Sequence, residues 1–299
     1  MPKRKTESPP LYDPRNQLND LNSKEWTYAL GSVLMTRYPA KGADSMAHRI
    51  RRRHPSPKPP QLIAEIIRFF TKKNGRVLDP FCGSGSTLLA CSLEERLGIG
   101  FDLNPEYQQL YAEAANELGL ATHPYHVCDA CDAQSYVTYV EKPVDLVVAD
   151  PPYGEMLARK RTGHRAKKGA PQATPFSDHS ADLGNLERDA FMEQLLVAIE
   201  LASHCLRRHG HLVLFIKDFQ PTELHHNMLH ADVVTALTRI PTLRFRGYRI
   251  WHDANINLFP FGYPYTFVAN QTHQFVLVFR KETPLSTVAE RGETSIGEA

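Results

Sequence analysis

Between residues 60 and 280, short apolar runs alternate with longer stretches of helical spacing, and no other feature restricts the fold as much. The runs 76–79, 98–102, 125–128, 144–149, 211–217, 248–252 and 274–280 read as strands. Between them lie candidate helices. One begins at Pro60, where Leu62, Ile63, Ile66, Ile67 and Phe70 share a face and Asn74-Gly75 supplies the stop. Others are expected over 88–96, 105–118, about 186–208 with Gly210 as the stop, and 224–240. Strand and helix in alternation imply an α/β fold, a mostly parallel sheet with helices on both faces. Residues 1–57 are polar and rich in proline and arginine, which suggests an N-terminal arm with short local structure. A single domain is expected over 58–283, with an insertion at 154–185 and a flexible tail at 284–299.

The bulk composition fits that picture. With 299 residues and 42% apolar content the chain can bury a substantial core. No apolar run reaches the length of a membrane span, and MPKRKTESPP lacks the apolar centre of a secretory signal, so a cytoplasmic location is expected. The five cysteines fit reduced thiols. Cys128 and Cys131 have CxxC spacing without a second pair, and no metal is expected. The formal charge of +2 conceals basic clusters at 3–5, 49–58 and 159–168, which suit a polyanion.

Two loops carry the chemistry. Asp79-Pro80-Phe81-Cys82-Gly83-Ser84-Gly85-Ser86-Thr87 follows the first strand of the alternation, where an open α/β sheet binds ligands. Glycine lets backbone approach a ligand closely, and the following helix turns its N–H groups towards it. Asp102 ends the next strand, a place from which a carboxylate accepts both ribose hydroxyls. The loop is not GxGxxG and lacks the lysine of GxxxxGK[ST], so a nucleoside without pyrophosphate fits best.

The second loop is Asp150-Pro151-Pro152-Tyr153, after the strand 144–149. Neither proline has an N–H, so the ladder stops and the backbone is held rigid. The Asp150 carboxylate and the Pro151 carbonyl are then two acceptors aimed at one place, which suits an NH2 group with two donors. Tyr153 offers a flat face to a heterocycle. An exocyclic amine is a poor nucleophile because its lone pair is delocalised, and two fixed acceptors free that pair towards an electrophile.

These residues resemble those of the S-adenosylmethionine-dependent amino-methyltransferases that modify adenine N6 or cytosine N4 in DNA. DPFCGSG (79–85) resembles that family's cofactor loop, DPPY (150–153) its catalytic motif, and HPSPKPP (54–60) its segment beside the methionine moiety. The resemblance implies a Rossmann-like class I methyltransferase fold with its last strand antiparallel, and S-adenosyl-L-methionine as cofactor. It places Asp79, Phe81, Cys82, Gly83, Gly85, Thr87, Asp102, Asn104 and Asp129 around that cofactor. Asp150, Pro151, Pro152 and Tyr153 would bind and orient the target amine, with Tyr265 or Phe267 as the other wall of the base pocket.

The resemblance further implies a site-specific DNA methyltransferase, adenine N6 favoured over cytosine N4 because DPPY is more usual there. Its target base leaves the stack to be reached. Arg159, Lys160, Arg161, Arg165, Lys167 and Lys168, directly after the pocket motif, are expected to grip phosphates beside that base. Sequence recognition is expected from the arm, this insertion or the region 222–264. A cognate restriction endonuclease fits the same picture, and both monomer and dimer stay open. The alternatives are a tRNA or rRNA base N-methyltransferase and an inactive cofactor-binding subunit.

Overall fold

A computed structural model describes residues 15–154, 176–219, 226 and 228–284. Eight strands form one sheet: β1 (Val33–Thr36), β2 (Arg76–Asp79), β3 (Leu97–Asp102), β4 (Tyr125–Val127), β5 (Val144–Ala149), β6 (Leu206–Ile216), β7 (Leu243–Asp253) and β8 (His273–Lys281). Their order across the sheet is β1-β7-β8-β6-β5-β2-β3-β4. All pair in parallel except β8, which runs antiparallel to both β6 and β7. From β2 onwards this is the doubly wound, Rossmann-like sheet with a reversed last strand. The order reverses between β2 and β5, and the C-terminal edge at that switch point is where ligands bind such sheets.

Both sheet faces are apolar because the central strands alternate two buried sets with period two. On one face Leu146, Val148, Val213, Phe215, Val276 and Val278 pack against α3 (Pro60–Phe70). On the other, Val147, Ala149, Leu212, Leu214, Leu277 and Phe279 meet α7 (Arg188–Cys205) and α8 (Leu229–Leu237). A smaller cluster joins α4 (Ser86–Leu93) and α5 (Pro105–Leu118) beside β3 and β4. No helix among the described residues is long and apolar enough to cross a membrane.

Several boundaries differ from the sequence expectation. Gly210 does not end a helix: α7 stops at Cys205, and β6 starts at Leu206 and passes through Gly210. A Cβ there would lie 3.0 Å from the carbonyl oxygens of Arg207 and Asp145, so close backbone approach explains the glycine better than a helix cap. His209 takes a positive φ and the register shifts beside it, which bends the strand. The helix expected at 224–240 is observed over Leu229–Leu237. A short helix, α6 (Ala133–Tyr139), was absent from the sequence pattern, although Asp132 caps it by accepting from the Gln134 N–H.

Residues 15–57 contain α1 (Ser23–Ala29), β1 and α2 (His48–Arg51), and they fold onto the sheet. Asn22 closes α1 with a capping box to Glu25. Upstream, the fully buried Asn19 donates to the Phe69 carbonyl at 2.6 Å. Arg51, buried despite its charge, donates to the carbonyls of Met46 and Lys58. The polar composition of this segment therefore goes with a structured cover over α3 and one sheet edge.

Candidate active site

The two loops singled out by sequence open onto one crevice at the C-terminal ends of β2, β3 and β5. Asp79 ends β2 and is buried; its carboxylate accepts from the Phe81 N–H (2.9 Å) and the Thr87 hydroxyl (2.5 Å). Burial is the main force pushing its pKa up to about 7, and those two hydrogen bonds oppose it. Asp79 thus ties the start of the loop to the first turn of α4. Gly83 turns the loop with φ +50°, and its N–H donates to Asp102 Oδ2 at 2.8 Å. A Cβ at Gly83 would stand 2.9 Å from His54 Nε2, so the loop passes close beneath that ring. Cys82 is buried under the loop against Gly100.

Asp102 also accepts from the Asn104 N–H at 3.0 Å, and burial raises its pKa to about 6. Asn104 caps α5, donates to the Phe176 carbonyl and lines the crevice. Asp129 lines it from the turn after β4, where it accepts from the Cys131 N–H. Ser84 adds a buried hydroxyl without a hydrogen-bond partner among the described residues, also on the crevice wall. Phe176 and Leu183 also line the crevice, from the segment that follows the Asp150 loop.

Asp150 faces the same crevice with its side chain 22% exposed. Each of its oxygens already meets a donor: the Tyr153 hydroxyl at 2.6 Å on Oδ1, and Lys58 Nζ at 2.5 Å on Oδ2. The Tyr153 ring is buried rather than presenting an open face, and burial raises the pKa of its hydroxyl. A carboxylate has about four lone-pair positions, so room for an amine remains. Lys58 is itself 6% exposed and rests over the Phe215 ring. The sequence held one signal for it, a lysine between prolines in HPSPKPP just before α3. Nothing in that pattern fixes its partner. His54, from the same segment, packs edge-on against Tyr107, and burial depresses its pKa to about 3.

Arg159, Lys160, Arg161, Arg165, Lys167 and Lys168 fall outside the described residues. Tyr265 and Phe267 are 94% and 90% exposed and do not line the crevice. Cys128 and Cys131 donate to the carbonyls of His126 and Gln194. His230 pairs with Asp218 and stacks on Phe275.

A family model described as DNA methylase, for the N6/N4 enzymes, matches residues 4–113. Over those residues, a little more than a third of its length, the chain is similar to this family. Two curated relatives are type II methyltransferases. M.XycI of Xanthomonas campestris pv. cyanopsidis is 47% identical over 55 residues, 18% of either chain. M.HpaI of Haemophilus parainfluenzae is 40% identical over 63 residues, 21% of this chain and 20% of that one. The matches thus span about a fifth of those relatives' length. A tRNA (guanine(10)-N2)-dimethyltransferase of Methanothermobacter thermautotrophicus is 28% identical over 116 residues, 38% of this chain and 32% of that one. Among solved structures, TrmN of Thermus thermophilus shares 17% identity at a TM-score of 0.46, over 87% of this chain and 53% of that one.

Proposed function

We propose that this N6/N4 methylase relative transfers a methyl group from S-adenosyl-L-methionine to the exocyclic amine of a nucleobase in DNA, adenine N6 in preference to cytosine N4. One observation carries the proposal: the Asp150 carboxylate and the Gly83–Asp102 cradle face a single crevice at the switch point of the sheet.

The residues present fit the cofactor. Phe81, Gly83 and Gly85 would border it, Asp102 would accept its ribose hydroxyls, and Asp129 and Asn104 would lie along its nucleoside. Asp79, Cys82 and Thr87 would hold the loop from beneath. The unpartnered Ser84 hydroxyl is one polar atom that a bound nucleoside would satisfy. When bound, the cofactor supplies an electrophilic methyl group on a sulfonium. The chain's own part is positioning. Asp150 and the Pro151 carbonyl accept from the two N–H bonds of the amine, and Pro152 keeps both acceptors rigid. The amine takes a place at Asp150 beside, or instead of, the Tyr153 hydroxyl, which frees that ring to turn towards the base. The basic residues 159–168 would hold neighbouring phosphates. Pairing with a cognate endonuclease belongs to the same proposal.

A tRNA substrate is the second possibility, favoured by the 116-residue match to the tRNA dimethyltransferase. Transfer of a labelled methyl group to DNA and RNA, followed by digestion to nucleosides, identifies polymer, base and atom together. Labelled N6-methyladenine from DNA is expected. Asp150→Ala is expected to abolish transfer while cofactor binding persists. No label on any nucleic acid would refute the proposal.

A further inference from the structure

We infer that a second cavity, beside the crevice, binds the phosphodiester backbone of the DNA strand that carries the target base, through Lys217 and Arg37. This rests on the function proposed above. The cavity, of about 800 Å³, lies at the C-terminal ends of β1, β6 and β7 and the start of β8. It shares Ser56, Pro57 and Lys58 with the crevice, so a strand crossing it continues into the Asp150 site.

Its charges are unevenly matched. Lys58 is neutralised by Asp150, and the Arg51 guanidinium is taken up by carbonyls and the Ser86 hydroxyl. Lys217, just past the end of β6 and half-buried, has no carboxylate or carbonyl partner among the described residues. Burial, and after it the nearby Lys58, lower its pKa. Arg37, just past β1, is exposed and, among the described residues, reaches only the Ala254 carbonyl, at 3.5 Å. Asp253 is the one carboxylate lining the cavity among the described residues, and it accepts from the Asn255 N–H. On the wall, Gln274 keeps a buried side-chain oxygen without a partner among the described residues. Spare cations together with a spare acceptor fit a ligand with both anionic oxygens and a donor, as a nucleotide has. In sheet order β6 and β1 are three strand spacings apart, roughly 14 Å. That is about four phosphates along a DNA strand axis. One nucleotide would leave either Lys217 or Arg37 unused, so a strand is the better occupant.

The test is binding of a labelled DNA duplex by wild type, Lys217→Met and Arg37→Gln over a salt series, with cofactor affinity measured alongside by calorimetry. Each substitution is expected to weaken DNA binding by about tenfold and to reduce the log–log salt slope by about one unit. Cofactor affinity should not change. Wild-type slopes in both variants would overturn the inference. So would a change confined to a parallel RNA series, which would give the cavity to RNA. Should Lys217→Met fail to fold, the exposed Arg37→Gln decides alone. Reduced slopes without methyl transfer by the wild type would sink the proposed function and leave this site standing; methyl transfer with unchanged slopes would do the opposite.

Discussion

Asp150 was legible as a chemical group from its sequence neighbours; its holder was not. The strand before it and the prolines after it set its backbone, and both are local. Lys58 lies 92 positions upstream, and only the packing of residues 51–60 against β5 and β6 brings its ammonium to the carboxylate. Removing that charge while keeping the apolar stem tests whether Lys58 positions Asp150. Lys58→Met is expected to lower kcat by about 100-fold, the cost typical of misplacing a reacting group by about an ångström. Cofactor affinity should change much less than kcat, since the Lys58 ammonium meets the Asp150 carboxylate. Steady-state kinetics with calorimetry separates the two, and an unaltered kcat would mean that the carboxylate is oriented by Tyr153 alone.

At the scale of elements, the chain between β2 and α4 turns at the glycines that the sequence offered, and distant residues pack against that turn. Gly85 precedes α4 at φ +79°, and a Cβ there would lie 2.3 Å from Cδ2 of the Tyr111 ring. That ring is held in turn, because the Tyr111 hydroxyl accepts from the His123 N–H at 2.7 Å. Gly85→Ala should therefore destabilise the fold by roughly 1–3 kcal/mol, read from chemical denaturation midpoints. An unchanged midpoint would mean that α5 shifts freely. Less was visible for β1, a four-residue edge strand whose side chains are exposed or half-buried. Without an apolar face of its own it leaves no periodic trace, and its place depends on β7. The seven residues of α6 were equally silent, being just under two helical turns and too short to show a period.

For the molecule as a whole, burial of carboxylates couples stability to pH. Asp79 and Asp102 have pKa values raised by burial to about 7 and about 6. A carboxyl raised on folding contributes stability that is complete below its unfolded pKa near 3.8 and is lost as pH rises through the folded value. The ligand-free protein should lose the contribution of these two groups between about pH 4 and 7. Donors from a bound ribose favour the ionised form of Asp102 and offset part of that loss. S-adenosyl-L-homocysteine at about 100 times its Kd is expected to stabilise the fold by about 2.7 kcal/mol. At fixed ligand concentration the gain in Tm should grow between pH 5 and 7. A gain independent of pH, followed by differential scanning fluorimetry, would mean that Asp102 does not meet the ribose.

What the sequence determined by itself was the alternation, the glycine turn and the rigid acceptor loop, because each depends on backbone preferences acting over a few residues. It also determined that both loops lie at one edge of a parallel sheet, since successive strands in such a sheet end on the same side. The tertiary structure alone decided that Lys58 meets Asp150, that the N-terminal residues cover the sheet, and that Lys217 and Arg37 share a cavity. Those contacts join groups tens to hundreds of positions apart. Their energy comes from burial and charge pairing, which exist only once the strands are in register.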